Sequence, residues 1–368
     1  MYVLIFGVSA GFIYCSEKTQ SKLLKRILII LALLIPSILA GLRDYSIGND
    51  VLLYGNKWFE RSCMYNSLFD FLEKAQEYSV DLGYATVNWC VSRFTDNPHF
   101  FYFVYELLQL SLLYFALKPF KDKISLPYAY LIYFFCYYND SLNILRQIMA
   151  IIFVLFAYKY VVSRKLIKFI LVILLAFSFH SSSIVGLALY PLSWAIENKQ
   201  VKSIAKVGII GVSLVLVVGY EQVFSFISNL GILSATKYSH YMTDTEVGGR
   251  FVRLTYWGIL LVFMWVRRKR CESSIENYRT LEIYMIISAI MSLITFLGST
   301  WIVRIAYYFD IYQVLFIPYL AERMGIKFGN VKKSSGYVIL FVLVFAYWLI
   351  TFVIRNGAAT YPYMFMTY

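Results

Sequence analysis

Apolar residues come in long runs broken by short polar stretches, the pattern of a chain that crosses a membrane many times. The runs predict twelve spans: Tyr2–Cys15, Ile27–Leu42, Phe100–Leu117, Leu126–Tyr138, Leu142–Val162, Ile167–Phe179, Ser183–Ile196, Val207–Val223, Phe251–Val266, Leu281–Leu297, Ile302–Leu320 and Tyr337–Ile354. Several are shorter than the ~20 residues that cross a bilayer untilted. Residues 81–94 are apolar but carry Asn88 and Arg93, so they read as a thirteenth span or as a surface or re-entrant helix. The first run has no basic segment before it and reads as a retained span rather than a cleaved signal. No polar stretch is long enough to fold separately. The expected architecture is all-α, a polytopic membrane helix bundle forming a single domain over 1–368, with outer loops at 43–98 and 224–250.

Basic residues decide the ambiguity at 81–94. If that stretch does not cross, 23 of the 34 Lys and Arg fall on one face, in clusters at 18–26, 118–123, 159–168, 199–206, 267–279 and 323–333. The positive-inside rule makes that face cytoplasmic and puts both termini outside. Composition agrees, with 60% hydrophobic and 15% charged residues. The net charge of +13 is then loop bias facing anionic headgroups, not a nucleic-acid surface. The 33 tyrosines and 7 tryptophans read as interfacial belts, although tyrosines near the outer end could stack on sugars. Five cysteines at no paired or metal-ligand spacing give no disulfide framework.

The remaining basic residues carry more information. Arg43, Arg146, Arg250, Arg253, Arg304 and Arg355 stand at the outer ends of spans, against the positive-inside tendency. Arg253 and Arg355 read as paired or snorkelling side chains. The other four read as a site, because guanidinium suits bidentate binding of phosphate. Arg43 follows the C-terminus of its span, where the helix dipole offers an anion nothing, and is expected to pair with Asp44 or Asp50. Asn143, Arg146 and Gln147 open the fifth span, with Asp140 or Ser141 as a possible cap and Arg146 nearly a turn inside. His180 sits at the outer turn between two spans. Gly248-Gly249 before Arg250 suits a lid, in a loop that also holds Tyr238, His240, Tyr241, Asp244 and Glu246. Arg304, Tyr307 and Tyr308 share one face of the eleventh span, and Asp310 should face the bundle. His99 and His240 read as ordinary surface histidines.

Three of these elements resemble motifs of one family. Arg43, Gly48, Asp50 and Tyr54 match Arg-x4-Gly-Thr-Asp-x3-Tyr, with Asn49 replacing the threonine. Leu145-Arg146-Gln147 and Phe179-His180 followed by Ser182 or Ser183 match two further patterns. These resemble the EpsG-type exopolysaccharide and Wzy-like O-antigen polymerases of the bacterial inner membrane. The resemblance implies a glycosyltransferase whose active site faces the periplasm or cell exterior. It would move a glycan from an undecaprenyl diphosphate donor to a sugar hydroxyl of a second lipid-linked unit, and a chain-length regulator and a flippase would be further partners. For such a transfer, catalysis is expected from His180, Asp50, Arg250 and Arg304, the arginines meeting the anionic leaving group and either His180 or a loop carboxylate such as Asp50 acting as the base. Substrate binding falls to Arg43, Asp44, Asn49, Tyr54, Asn143, Arg146, Gln147, Tyr307 and Tyr308. No cofactor or metal is expected, since Walker A, His-Glu-x-x-His, Cys-x-x-Cys, Gly-x-Ser-x-Gly and Asp-x-Asp sequences are all missing. The competing readings are a flippase or transporter of lipid-linked oligosaccharides, a membrane glycan acyltransferase and a non-catalytic membrane protein.

Overall fold

The computed structural model describes residues 1–198, 207–208, 211, 247–271, 278–297, 301–323 and 335–366. Over these the chain is all-α, with one isolated β-bridge between Arg43 and Phe365. The helices are α1 (Tyr2–Lys18), α2 (Lys22–Gly41), α3 (Asn56–Cys63), α4 (Leu68–Glu77), α5 (Leu82–Ser92) and α6 (Pro98–Leu117). They continue with α7 (Leu126–Tyr133), α8 (Asn139–Asn143), α9 (Leu145–Val162), α10 (Leu166–Phe179) and α11 (Leu189–Glu197). After the undescribed stretch come α12 (Val247–Cys271), α13 (Tyr278–Leu297), α14 (Trp301–Asp310), α15 (Gln313–Arg323) and α16 (Ser335–Trp348). Local sequence sets the clearer boundaries. Ser21 and Asn97 cap α2 and α6 through their side chains, and Pro98 occupies the first turn of α6, where its missing N–H costs nothing.

Among the described helices, six are long and apolar enough to cross a membrane: Lys22–Gly41, Pro98–Phe120, Leu145–Val162, Gly249–Val266, Tyr278–Phe296 and Ser335–Ile354. The predicted run at 207–223 lies almost wholly outside the described residues. Others are interrupted where the sequence reads as continuous. The eleventh breaks at Ile311-Tyr312 between α14 and α15. The seventh opens as a 3-10 helix at Ser181–Ala188 before α11. The fourth runs further than expected, because a π-helical segment, Phe134–Tyr138, links α7 directly to α8. The stretch at 81–94 forms α5, whose 11 residues reach only about 16 Å, too short to cross.

Helix ends collect into two groups. At one end Tyr2 OH donates to Thr360 O, His99 Nδ1 contacts Gly41 O and α5 docks on the end of α10. That last approach needs Gly83, where a Cβ would lie 2.5 Å from Ser178 Oγ. At the opposite end Tyr128 OH donates to Tyr337 O, Thr280 donates to Glu197, and Lys18, Lys25 and Lys121 surround Glu17. The second group holds the basic clusters at 18–26, 118–123 and 159–168, and the first holds Arg43, Arg146, His180 and Arg304. Between the ends, helices expose apolar side chains where a soluble protein would not. Ile167, Leu171 and Leu174 on α10 and Val338 and Val342 on α16 are all more than half exposed, a surface suited to hydrocarbon.

Interfacial belts alone do not account for the tyrosines. Tyr130, Tyr138, Tyr284 and Tyr312 are buried, and their hydroxyls donate to the carbonyls of Leu110, Pro36, Leu189 and Val154 on neighbouring helices. Each is a polar tether across an apolar interface, the kind of bond that holds helices together where lipid offers no hydrophobic contrast.

Candidate active site

The loop after α2 is built around a positive-φ glycine. Gly48 has φ of 88°, and a Cβ there would lie 2.4 Å from Leu142 O, so only glycine permits the approach. Its N–H donates to Ala359 O. Asp44 closes the preceding turn by accepting from the N–H and Oγ of Ser46, which holds its carboxyl below the usual carboxylate range. Helical backbone resumes at Asn49, so Asp50 and Tyr54 stand one turn apart and Tyr54 OH donates to Asp50 Oδ2 at 2.6 Å. Asn49 itself is exposed.

Arg43 does not pair with Asp44 or Asp50, as the sequence suggested. Its side chain is fully buried, donates to Leu142 O at 2.7 Å and lies over the Tyr102 ring at 4.2 Å. The reason is reach: Asp44 is taken by Ser46, Asp50 points to Tyr54, and the end of α8 presents a free carbonyl instead. Arg43 therefore clamps the loop to α8 from beneath and is not open to a ligand.

Asn143 ends α8 rather than opening the next span, and its Oδ1 accepts from the Asp50 N–H at 3.3 Å. The break falls at Ile144, with φ of −92° and ψ of 56°. Asp140 and Ser141 are accordingly not caps. Ser141 Oγ donates to Glu106, and Asp140 Oδ2 accepts from Tyr307 OH at 2.9 Å. Arg146 is the second residue of α9, not nearly a turn inside it. It pairs with Asp81 at 2.9 Å and lies over the Tyr54 ring at 4.2 Å. Gln147 Nε2 donates to Arg304 O at 2.8 Å and so fixes α14 against α9.

One turn of α14 gathers the remaining groups. Tyr307 reaches Asp140, while the fully buried Tyr308 lies 2.8 Å from Ser182 Oγ, which in turn lies 2.6 Å from His180 Nδ1. Tyr308 is thus a support for His180 rather than a surface for sugar. Arg253 pairs with Asp310, donates to Ser292 and faces the Tyr307 ring. Asp310 is buried in the bundle. Asp50 feels both Arg146 and Arg304, and Asp140 feels both Arg253 and Arg304. Burial raises the Asp50 carboxyl above its ordinary range, with the Tyr54 hydrogen bond and the two arginines opposing.

Residues 26–365 match the family model of the EpsG family. The chain belongs to the EpsG family. No curated protein and no solved structure matches it. The EpsG family points to a polysaccharide polymerase in general, and with the long apolar helices it makes this a membrane protein.

The EpsG match runs to residue 365, into a segment that the hydropathy pattern leaves without a role. After a π-helical turn at Leu349–Ile354, residues 356–366 cross back over the motif loop. Met364 O accepts from Asp44 N, Met366 N donates to Leu42 O, and Tyr363 OH donates to Leu39 O. Thr360 Oγ1 accepts from Asn139, whose Oδ1 accepts from Trp348. Asn356-Gly357 and Pro362 are turn signals in the sequence, but nothing there says where the turn packs. His99 also departs from its surface reading: it is half-buried, stacks on Tyr45 at 4.4 Å and contacts Gly41 O.

Two expectations concern the segment before α12. Gly248 and Gly249 are helical, so the pair is not a flexible hinge, and Arg250 stands half-buried in the first turn of α12. Tyr238, His240, Tyr241, Asp244 and Glu246 lie outside the described residues. Among the described residues, no group of three or more His, Cys, Asp and Glu could hold a metal ion.

Proposed function

We propose that this protein polymerises undecaprenyl-diphosphate-linked oligosaccharide units at the outer face of the bacterial inner membrane. The observation that carries the reading is the convergence of Asp50, Arg146, Arg304, Asp140 and His180 at one end of the bundle, opposite the basic clusters at 18–26, 118–123 and 159–168. Arg146, Arg250 and Arg304 each lie in the first turns of a helix, where the dipole adds to anion affinity. They face a donor whose leaving group is a diphosphate. The acceptor hydroxyl oxygen attacks the anomeric carbon as its proton passes to the base, Asp50 or His180. The bond from that carbon to the diphosphate oxygen breaks, and the oxygen leaves with the electron pair. Cations placed where that charge gathers lower the barrier. Arg43 has a supporting role, holding the loop that carries Asp50.

The test is polymer length on a gel from cells lacking the native copy. Arg304→Lys keeps the charge but loses the guanidinium fork. Long-chain polymer is expected to fall by 10-fold or more, with membrane insertion unchanged. Wild-type polymer from that variant would remove Arg304 from the site. A transporter of lipid-linked oligosaccharides is the second reading, favoured by one observation: the polar chain from Asp140 through Tyr307 and Arg253 reaches Asp310, six residues deeper along α14 than Arg304. A transporter defect leaves the unpolymerised units on the inner leaflet, whereas a polymerase defect leaves them on the outer one.

A further inference from the structure

The link from His180 to Tyr308 fixes more than the position of the imidazole. Nδ1 of His180 lies 2.6 Å from Ser182 Oγ, and Ser182 Oγ lies 2.8 Å from Tyr308 OH. Two hydroxyls at these distances can donate in either direction. The backbone breaks the tie. Ser182 N–H is directed at the same Nδ1, 3.4 Å away, and a peptide N–H can only donate. A hydrogen on Nδ1 would be set against it. One polarity satisfies all three contacts: Tyr308 O–H donates to Ser182 Oγ, while Ser182 O–H and Ser182 N–H both donate to Nδ1. The lone pair with which neutral imidazole accepts a proton is then occupied, and the ring hydrogen sits on Nε2.

We propose that Ser182 and Tyr308 lock neutral His180 in its Nε2–H tautomer, so that His180 donates a hydrogen bond to the departing diphosphate and Asp50 is the base. The proposal rests on the polymerase reading and divides the roles that it leaves shared. Tyr308 stands one turn from Arg304 on the same face of α14, which puts the His180 system on the side of the cations that meet the diphosphate. Asp50 stands in the field of the same arginines but, among the described residues, its carboxylate accepts only from Tyr54 OH, through Oδ2, which leaves Oδ1 to an acceptor hydroxyl. In the transfer the acceptor proton passes to the Asp50 carboxylate and the diphosphate oxygen takes the electron pair of the broken bond. Nε2–H supports that growing charge, and no proton leaves His180. Ser182 and Tyr308 are positioning residues.

The chain has only three histidines, His99, His180 and His240, which makes a direct test practical. Histidine-selective 15N NMR of the full-length protein in lipid bilayers, with the His180→Ala spectrum subtracted, reports which ring nitrogen bears the hydrogen. Protonated Nε2 and bare Nδ1 are expected at a pH where the ring is neutral, and Ser182→Ala and Tyr308→Phe should each mix the two tautomers. A hydrogen on Nδ1 in the wild-type protein overturns the lock. Polymer formation tests the donor role. His180→Gln brings an amide N–H toward the Nε2 position without a basic nitrogen, and should keep about one-tenth or more of wild-type turnover. His180→Ala should lose about 100-fold, the scale of removing one such donor. If Gln is as inactive as Ala while both variants bind a short-chain polyprenyl diphosphate normally, the donor role is overturned. If the wild-type protein itself neither polymerises nor binds that probe, the polymerase reading falls and takes the donor role with it, while the NMR pattern still decides the tautomer.

Discussion

At the scale of single residues, the charges of this site are held by partners of very different cost. Arg146 and Asp81 form a nearly buried pair, with side-chain exposures of 18% and 7%, and losing one member of such a pair typically costs about 3–5 kcal/mol. Among the described residues Asp50 has no such counter-ion in contact, only the Tyr54 hydroxyl and the fields of Arg146 and Arg304, and burial raises its carboxyl above the ordinary value of ~3.9. The consequences for activity and stability have opposite signs. In its proposed role as the base, Asp50 must be ionised, so polymerisation is expected to fall as pH drops through the raised value. For stability, the folded protein holds this proton more tightly than the unfolded chain does. Its contribution is therefore favourable at low pH and is lost as pH rises through the folded-state value. Asp50→Asn should abolish activity yet unfold at a higher temperature than wild type at neutral pH, with the difference shrinking as pH is lowered. Thermal unfolding in detergent at several pH values measures this. An Asn variant less stable than wild type at neutral pH would show that the ionised carboxylate is stabilised in the fold.

At the scale of elements, the motif loop is sandwiched between the α8–α9 break and the C-terminal segment, and Gly48 touches both. Its N–H is used by Ala359, and its Cα faces Leu142 O. Gly48→Ala puts a methyl 2.4 Å from that carbonyl at a φ of 88°. The backbone strain alone is about 1–3 kcal/mol, and the contact adds to it. The loop must shift, taking Asp50 off the Asn143 side chain. The expected result is a lower unfolding temperature and loss of polymer together. A Gly48→Ala protein with normal stability and normal polymer would mean that the loop is not held in this way. Asp50 and Tyr54 were legible in the sequence as members of one motif, but not that helical backbone brings them into contact. Partners distant in the chain were not legible either. Arg146 finds Asp81 from 65 residues away and Tyr2 finds Thr360 from 358. The breaks at Ile144 and Ile311 do carry polar neighbours, Asn143 and Arg146 at one and Asp310 and Gln313 at the other, but in a membrane bundle such residues also stand inside unbroken helices, so they do not mark an interruption by themselves.

At the scale of the whole molecule, what positions the chemistry is that helix ends sort by charge. At the end that holds His180 and Arg304, Arg146 and Arg253 are paired with Asp81 and Asp310, and Arg43 and Arg146 stack on Tyr102 and Tyr54. Among the described residues the opposite end carries the basic clusters at 18–26, 118–123 and 159–168, in and beside short connections. Only short-loop basic residues of that second kind set orientation, since paired cations are compensated inside the fold. The bundle should therefore insert with the site end outward. α5 strengthens the case, because at about 16 Å it cannot add a crossing that would invert every later loop. A reporter active only in the cytoplasm is expected to be on when fused after residue 124 and off when fused after residue 95, on the two sides of α6. Both fusions on the same side would exclude α6 as a span. The reverse pattern would put Asp50 and Arg304 in the cytoplasm, where a lipid-linked donor already moved across the membrane could not reach them.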